Sequence, residues 1–310
     1  MEICVTYVFF GLGLIGLFVG GELLVRGAVG VAKRFHVPPL VIGLTIVGFG
    51  TSTPELLVSL QAAFGGTPSI AIGNVIGSNI ANILLILGVS AAIYPVTMRL
   101  SELRQDVAAM IAASLAFWLI ILDGGVSRLE GVLLFAALLV YLVLSLRGRA
   151  GAAPPAEKEE NAPLWLSLVK TAAGLVILMA GARLLVDSAS EIARAYGVSE
   201  AVIGLTIIAV GTSLPELATS VIAALRKQPE ISLGNIVGSN IFNILCILGL
   251  TAMVVPVPVE PRFAAIDIWV MIAAAFAFFL LAALAGRAGR PVGVALLLAY
   301  CGYVAYLAQG

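Results

Sequence analysis

The stretch VIGLTIVGFGTSTPELLVSLQAA (41–63) recurs as VIGLTIIAVGTSLPELATSVIAA (202–224), 161 positions later. The same shift lays GNVIGSNIANILLILG (73–88) on GNIVGSNIFNILCILG (234–249) without a gap. From Val41 to Gly88, 29 of the 48 positions are identical to their partners, so the chain is an internal duplication. A duplication kept only for folding explains the matched Leu and Gly packing positions. It does not explain why polar residues match so closely, Glu55 with Glu216 and Asn82 with Asn243.

Both copies lie in a chain of 310 residues that is 61% hydrophobic and 11% charged, with a mean hydropathy of +1.12. A soluble domain of this length is about one quarter charged, so the class is an all-α integral membrane protein. The net charge of zero gives no electrostatic case for nucleic acid. Cys4, Cys246 and Cys301 are scattered and imply neither a disulfide framework nor a thiolate metal site. His36 stands alone after Lys33 and Arg34, and one histidine makes no ligand set. The first apolar run has an acidic Glu2 and no preceding Lys or Arg, so it reads as a membrane helix rather than a signal peptide.

A membrane span needs about 20 mostly apolar residues. Ten runs qualify, at 3–32, 39–63, 70–93, 104–122, 128–146, 164–194, 200–225, 231–254, 264–284 and 291–308. The polar stretch 147–163, RGRAGAAPPAEKEENAP, reads as a linker between a first five-helix half (1–146) and a second (164–310). Five is odd, so the second half enters the membrane from the opposite side. Such inverted repeats build many secondary transporters, with the substrate site near the midplane between the copies. With the N-terminus outside, twelve Lys and Arg of the loops and span ends fall on the cytoplasmic side and only Arg128, Arg194 and Arg262 outside. The positive-inside rule then places both termini outside and the linker in the cytoplasm.

Most carboxylates sit at span ends, where water or headgroups solvate them. Glu55 and Glu216 lie 15 or more residues into their spans. A charge there costs at least about 2.5–3.5 kcal/mol, so intramembrane carboxylates carry a functional expectation. Pro54 and Pro215 lack an N–H and clash with the carbonyl four residues back, which breaks spans 2 and 7 at Gly50 and Gly211. The break lets Gly48, Gly50, Thr51 and Ser52 present backbone and hydroxyl oxygens. Ser78 and Asn82 are four apart on one helix face, and Ser239 and Asn243 repeat the spacing. Carbonyls, hydroxyls, amide oxygens and carboxylates form the all-oxygen set that hard cations such as Ca²⁺ and Na⁺ prefer. Two glutamates carry −2, which balances one Ca²⁺, two Na⁺ or two protons. Asn74, Asn79, Asn235 and Asn240 are expected to hydrogen-bond between helices, and Gly73, Gly77, Gly234 and Gly238 to permit close helix approach. Glu22–Arg26 and Arg183–Asp187, each four apart, read as local ion pairs outside the site.

At these residues the chain resembles a known family. GTSTPE…GNVIGSNIAN (within 41–88) and GTSLPE…GNIVGSNIFN (within 202–249) are similar to the two α-repeats of the calcium/cation antiporter superfamily, most of all its prokaryotic sodium/calcium exchangers. The resemblance implies ten helices in inverted halves, a core of spans 2, 3, 7 and 8, and spans 1 and 6 sliding across it. It implies Glu55 and Glu216 as central ligands shared by Ca²⁺ and Na⁺. Thr51, Ser52, Thr212 and Ser213 would add oxygens, Ser78 and Ser239 would complete flanking Na⁺ sites, and Gly48 and Ala209 would offer carbonyls. Asn82 and Asn243 would line the middle; some archaeal members carry aspartate at the latter position. Proton/calcium exchangers of the superfamily usually show a different second motif, with an acidic residue after its Gly-Asn, which this chain lacks. The expectation is therefore an antiporter that functions as a monomer in the cell membrane and needs no cofactor. Proton/calcium exchange is the nearest alternative, followed by a cation channel. An enzyme is disfavoured because a carboxylate pair without catalytic His, Cys or a metal motif offers little chemistry.

Overall fold

The computed structural model describes residues 2–147, 163–198 and 209–307. Nearly all of the 147–163 linker, and 199–208 at the start of the seventh expected span, lie outside the described residues. Apolar runs become helices because no water at membrane depth can satisfy a free backbone group. In chain order they are α1 (Glu2–Phe35), the bent pair α2 (Pro39–Thr51) and α3 (Thr53–Phe64), α4 (Ser69–Ile93), α5 (Leu100–Ile120), α6 (Arg128–Arg147) and α7 (Leu164–Ala195). Then come α8 (Leu214–Leu225), α9 (Pro229–Val254), α10 (Phe263–Ala285) and α11 (Arg290–Leu307). Among the described residues eight helices are long and apolar enough to cross a membrane, nine if α2 and α3 count as one span. Apart from the start of the seventh span, which lies outside the described residues, the expected span boundaries agree with these helices to within about four residues.

The burial of each helix follows its residues. In α9, 89% of the most apolar window is buried, and in α4, 72%, whereas no other single-helix span exceeds 39%. These two are therefore the centre, and the more exposed helices turn their apolar outer faces outward. Gly234 and Gly238 explain how α9 gets so close to α2. A Cβ on either would sit 2.5 Å from a carbonyl oxygen, that of Leu40 or Leu44. Phe49 of α2 also meets Phe242 of α9, with ring centroids 5.5 Å apart.

α1 and α7 form a separate layer. A Cβ on Gly13 would lie 2.8 Å from Leu185 N, one on Gly16 2.9 Å from Gly181 Cα, and one on Gly20 2.5 Å from Leu178 N. From the other side, a Cβ on Gly174 would lie 2.5 Å from Leu24 N. Partner numbers fall as the α1 numbers rise, so the two helices run antiparallel with their backbones touching. Small residues permit such contact, and packing rather than hydrophobicity drives association between helices in lipid.

Two short ribbons were not foreseen from the sequence. Val96–Thr97 pairs with Arg287–Ala288, and Gly125–Val126 with Val257–Pro258, both antiparallel. Each joins a loop of one repeat to a loop of the other, and the 161-residue shift converts the first strand into the third.

Replacing Gly20 by Val forces a side chain into the α7 backbone, and overpacking of this kind costs about 1–3 kcal/mol. The melting midpoint of the purified protein should fall by several degrees. A Cβ on Gly11 meets nothing within 4 Å, so Gly11→Val should melt as the wild type does. Equal midpoints for the two variants would contradict the backbone contact.

Candidate functional site

The two prolines do less to break a helix than to start one. Ser52 (φ −83°, ψ 6°) and Ser213 (φ −86°, ψ 5°) leave helical geometry, and α3 and α8 begin immediately after them with proline in the first two positions. Proline is tolerated there because its missing N–H has no helical partner to lose. Glu55 and Glu216 consequently stand in the first turns of α3 and α8. The positive end of a helix dipole favours an anion at that position, which the sequence reading had not anticipated. The chain bends by 40° between α2 and α3. Both breaks lie beneath α7: a Cβ on Gly50 would meet Leu175 Cδ2, and one on Gly211 would meet Val186 Cγ2, each at 2.6 Å.

Each carboxylate is held from the other repeat. Ser52 Oγ donates to Glu216 Oε1 at 2.9 Å, and Ser213 Oγ donates to Glu55 Oε1 at 3.5 Å. Both glutamates are 1% exposed, and each leaves its Oε2 buried without a hydrogen-bond partner. A buried, unsatisfied acceptor costs about 1–3 kcal/mol, more if charged, and the protein leaves that cost at these two oxygens uncompensated.

The asparagines hold the frame. Asn74 Nδ2 donates to Glu55 O at 3.0 Å and Ser59 Oγ at 2.9 Å. Asn235 Nδ2 repeats this with Glu216 O at 3.2 Å and Ser220 Oγ at 3.0 Å. Asn235 Oδ1 also accepts Thr51 Oγ1 at 2.9 Å, which ties the first break to α9. Thr212 is half-buried and makes no matching bond to Asn74 among the described residues. Ser239 Oγ donates to Gly48 O at 3.3 Å, an oxygen that also accepts Ser52 N at 3.1 Å. Gly48 is therefore at the site, with its carbonyl already engaged. Ser78 is buried on α4. Ala209 opens the short helical turn that ends at Gly211.

Asn82 and Asn243 each begin a π turn, Asn82–Ile86 and Asn243–Leu248, a distortion frequent at functional sites. Asn243 Nδ2 donates to Asn79 Oδ1 at 3.0 Å, and Asn79 in turn approaches Met271 Sδ at 3.5 Å. Asn243 Oδ1 and both amide atoms of Asn82 are buried without partners. The interhelical role expected of Asn74, Asn79 and Asn235 holds. It fails for Asn240, whose amide has no partner among the described residues. The repeats differ here because the bond between Asn79 and Asn243 has no mirror image between Asn240 and Asn82.

Glu22 has more than its local partner. Arg26 Nε lies 2.5 Å from Glu22 Oε1, and Arg226, capping α8, grips the same carboxylate through Nε (2.8 Å to Oε2) and Nη2. This interhelical fork joins α1 to α8. Arg183 and Asp187, by contrast, are 3.8 Å apart and exposed, a local pair as expected. Among the described residues no three His, Cys, Asp or Glu side chains gather, so the two glutamates supply the charge of the site.

A buried carboxylate pair with hydroxyl and amide oxygens, set in a duplicated membrane fold, defines a class of ion-handling membrane protein. The sodium/calcium exchanger protein family matches residues 5–147 and 166–309, and the chain belongs to that family, one of exchangers rather than enzymes. It is similar to the putative antiporter CaxA of Alkalimonas amylolytica, 38% identical over 310 aligned positions, 96% of this chain and 97% of that protein. It is similar also to the inner membrane protein YrbG of Escherichia coli, 36% identical over 96% of this chain and 94% of that one. Its fold matches the sodium-calcium exchanger NCX_Mj soaked with Na⁺ and Sr²⁺, with a TM-score of 0.87 and 36% identity over 98% of this chain and 99% of that one. The resemblance read from the two motifs thus extends over almost the whole chain.

Asn235→Ala strips one amide from three oxygens: Thr51 Oγ1 loses its acceptor, and Glu216 O and Ser220 Oγ lose their donor. Each hydrogen bond contributes about 0.5–1.5 kcal/mol. The variant should melt several degrees below the wild type in chelator, and Asn235→Asp should recover only the Thr51 contact. Melting of Asn235→Ala at the wild-type midpoint would remove Asn235 from the frame.

Proposed function

We propose that this chain exchanges Na⁺ for Ca²⁺ across the cell membrane by alternating access, with both ions competing for Glu55 and Glu216. The observation that carries this is the reciprocal serine grip on the two glutamates, which leaves one carboxylate oxygen of each buried and unpartnered. Two ionised carboxylates at this depth need two positive charges, and no Lys or Arg is bonded to either among the described residues. One Ca²⁺ or two Na⁺ meet that need, so either occupancy neutralises the site and loading with one ion excludes the other. Thr51, Ser52, Thr212, Ser213, Ser78, Ser239, Asn82, Asn243 and the backbone at Gly48 and Ala209 complete the oxygen set. Hard cations take six to eight such oxygens in the case of Ca²⁺.

The architecture proposed with it is ten spans in two inverted halves, 1–146 and 164–310, joined by a cytoplasmic linker at 147–163, with both termini outside. Three observations support it. α1 and α7, the first spans of the two halves, run antiparallel. The β-ribbon at 96–97 and 287–288 joins two loops that the Lys/Arg count assigns to the cytoplasm. The ribbon at 125–126 and 257–258 joins two loops assigned to the outside. The glycine seam lets α1 and α7 move as one unit over the core. The Arg226–Glu22 fork fastens that unit to α8 at the cytoplasmic end, and its repeat-related position after α3 holds Gly65, which has no side chain to form a matching fork.

Vesicles containing the protein should accumulate labelled Ca²⁺ when an outward Na⁺ gradient is imposed, and should not respond to a pH gradient alone. Glu55→Gln and Glu216→Gln each leave a single buried charge. Breaking a buried ionic arrangement costs about 3–5 kcal/mol, so Na⁺-driven uptake should fall more than a hundredfold in either variant while insertion persists. Uptake that followed ΔpH and ignored Na⁺ would replace the proposal by proton exchange. Flux without any counter-ion would indicate a channel.

A further inference from the structure

The 161-residue shift continues without a gap beyond the motifs. It pairs Pro95 with Pro256, Asp106 with Asp267, Met110 with Met271 and Phe117 with Phe278. α5 and α10 are therefore repeat-related helices, and the molecule carries two versions of the cleft between them. The two versions differ in what fills them.

In one version the cleft is plugged. Trp269 of α10 packs against Trp118 of α5, with ring centroids 5.1 Å apart. In the other, the same positions hold Ala108 and Phe279. Alanine in place of tryptophan leaves a cleft of about 430 Å³, within the roughly 300–1,000 Å³ typical of small-ligand sites. Its walls are apolar, Val107, Ala108, Ile111, Ala112 and Leu115 of α5 with Phe279 of α10, and Leu100 and Arg104 lie at one end. Arg104 is likewise particular to this version, since its counterpart at the plugged cleft is Ala265.

The carboxylates nearest to Arg104 in sequence are engaged elsewhere. Glu102 Oε1 lies 3.4 Å from Arg99 Nη1, and the buried Asp106 accepts Tyr141 Oη at 3.0 Å. Arg104 is exposed and has no ion pair among the described residues. It stands one turn into α5, beside the ribbon loop that carries Arg99 and Arg287. An apolar slot ending at an unneutralised guanidinium matches a molecule with an apolar chain and an anionic head.

We propose that this cleft binds an anionic phospholipid, with an acyl chain between α5 and α10 and its phosphate on Arg104. The choice of a cytoplasmic-leaflet lipid rests on the orientation proposed above, because that leaflet is the anionic one and attracts juxtamembrane Arg and Lys. Guanidinium and phosphate form strong, often bidentate hydrogen bonds, and an acyl chain covers apolar surface that the plugged cleft covers with tryptophan.

Native mass spectrometry of the full, delipidated chain tests this independently of orientation and of transport. Phosphatidylglycerol and phosphatidylcholine with identical acyl chains are titrated separately. The wild type should retain one phosphatidylglycerol in preference to phosphatidylcholine. Arg104→Ala should abolish the preference, weakening the phosphatidylglycerol adduct about fivefold, as expected for one basic residue at an anionic surface. Ala108→Trp, which copies the plugged cleft, should lose both adducts, and Ala108→Leu, a smaller change, should weaken both. A melting curve for each variant confirms that it is folded. Equal retention of the two lipids by the wild type, or phosphatidylglycerol retention undiminished in folded Arg104→Ala or Ala108→Leu, would overturn the proposal. So would glycerol phosphate displacing the lipid at equal concentration, which would make the site one for free phosphate. Dimers that dissociate on the Ala108 substitutions would assign the cleft to a second copy of the chain and overturn it equally.

Discussion

Everything else in this molecule is arranged around two carboxylates that cannot be left alone. Glu55 and Glu216 are almost wholly buried, and the serine of each broken segment bonds the glutamate of the other. That reciprocal grip requires the two GTS-x-PE segments to face each other, so it fixes the relation of the repeats at the centre. It also requires each glutamate to begin a helix, and proline in the first turn secures that start. The helix N-terminus and the serine hydroxyl offset part of the cost of burial, and the second carboxylate oxygen remains uncompensated by the protein.

The surrounding structure divides into helices tied to the two glutamates by polar bonds and helices that are not. α4 and α9 are clamped to the broken helices by Asn74 and Asn235, each of which binds a backbone carbonyl and a serine. Gly234 and Gly238 bring the α2 backbone within reach of Ser239 and Asn235. Among the described residues α1 and α7 have no comparable polar ties to the two glutamates. They meet each other through glycine and rest on the core mainly through apolar contacts such as Gly50 with Leu175 and Gly211 with Val186. Among the described residues the polar fastening between that layer and α8 is the fork from Arg226 to Glu22, which lies at one end.

Much of this was legible in the sequence because the duplication acts as an internal comparison. Polar residues that persist at the same offset in two copies stand out where one copy would leave them ambiguous. The span boundaries were legible because apolar length is imposed by the bilayer. Other features were not. The π turns at Asn82 and Asn243 leave no mark on periodicity. The two ribbons are only two residues per strand, and each strand's partner lies in a distant loop of the other repeat that no local pattern announces. Glu22 reads as the partner of Arg26 because four residues is a visible spacing, whereas Arg226 is 204 residues distant. Asn240 matched Asn79 in sequence and yet lacks its bond, because the two repeats do not adopt identical surroundings.

The sequence by itself determined the class, the course of most of the apolar helices and the presence of two glutamates deep within them. Composition, apolar length and a gapless repeat are one-dimensional properties, and a charge at membrane depth is conspicuous without coordinates. Only the tertiary structure decided that the serine of one repeat serves the glutamate of the other, and that α1 and α7 touch backbone to backbone. It alone showed that the α5–α10 cleft is plugged by tryptophan in one copy and open beside an arginine in the other. These are consequences of antiparallel packing between segments far apart in the chain, where hydrogen-bond reach and the absence of a Cβ select the partners.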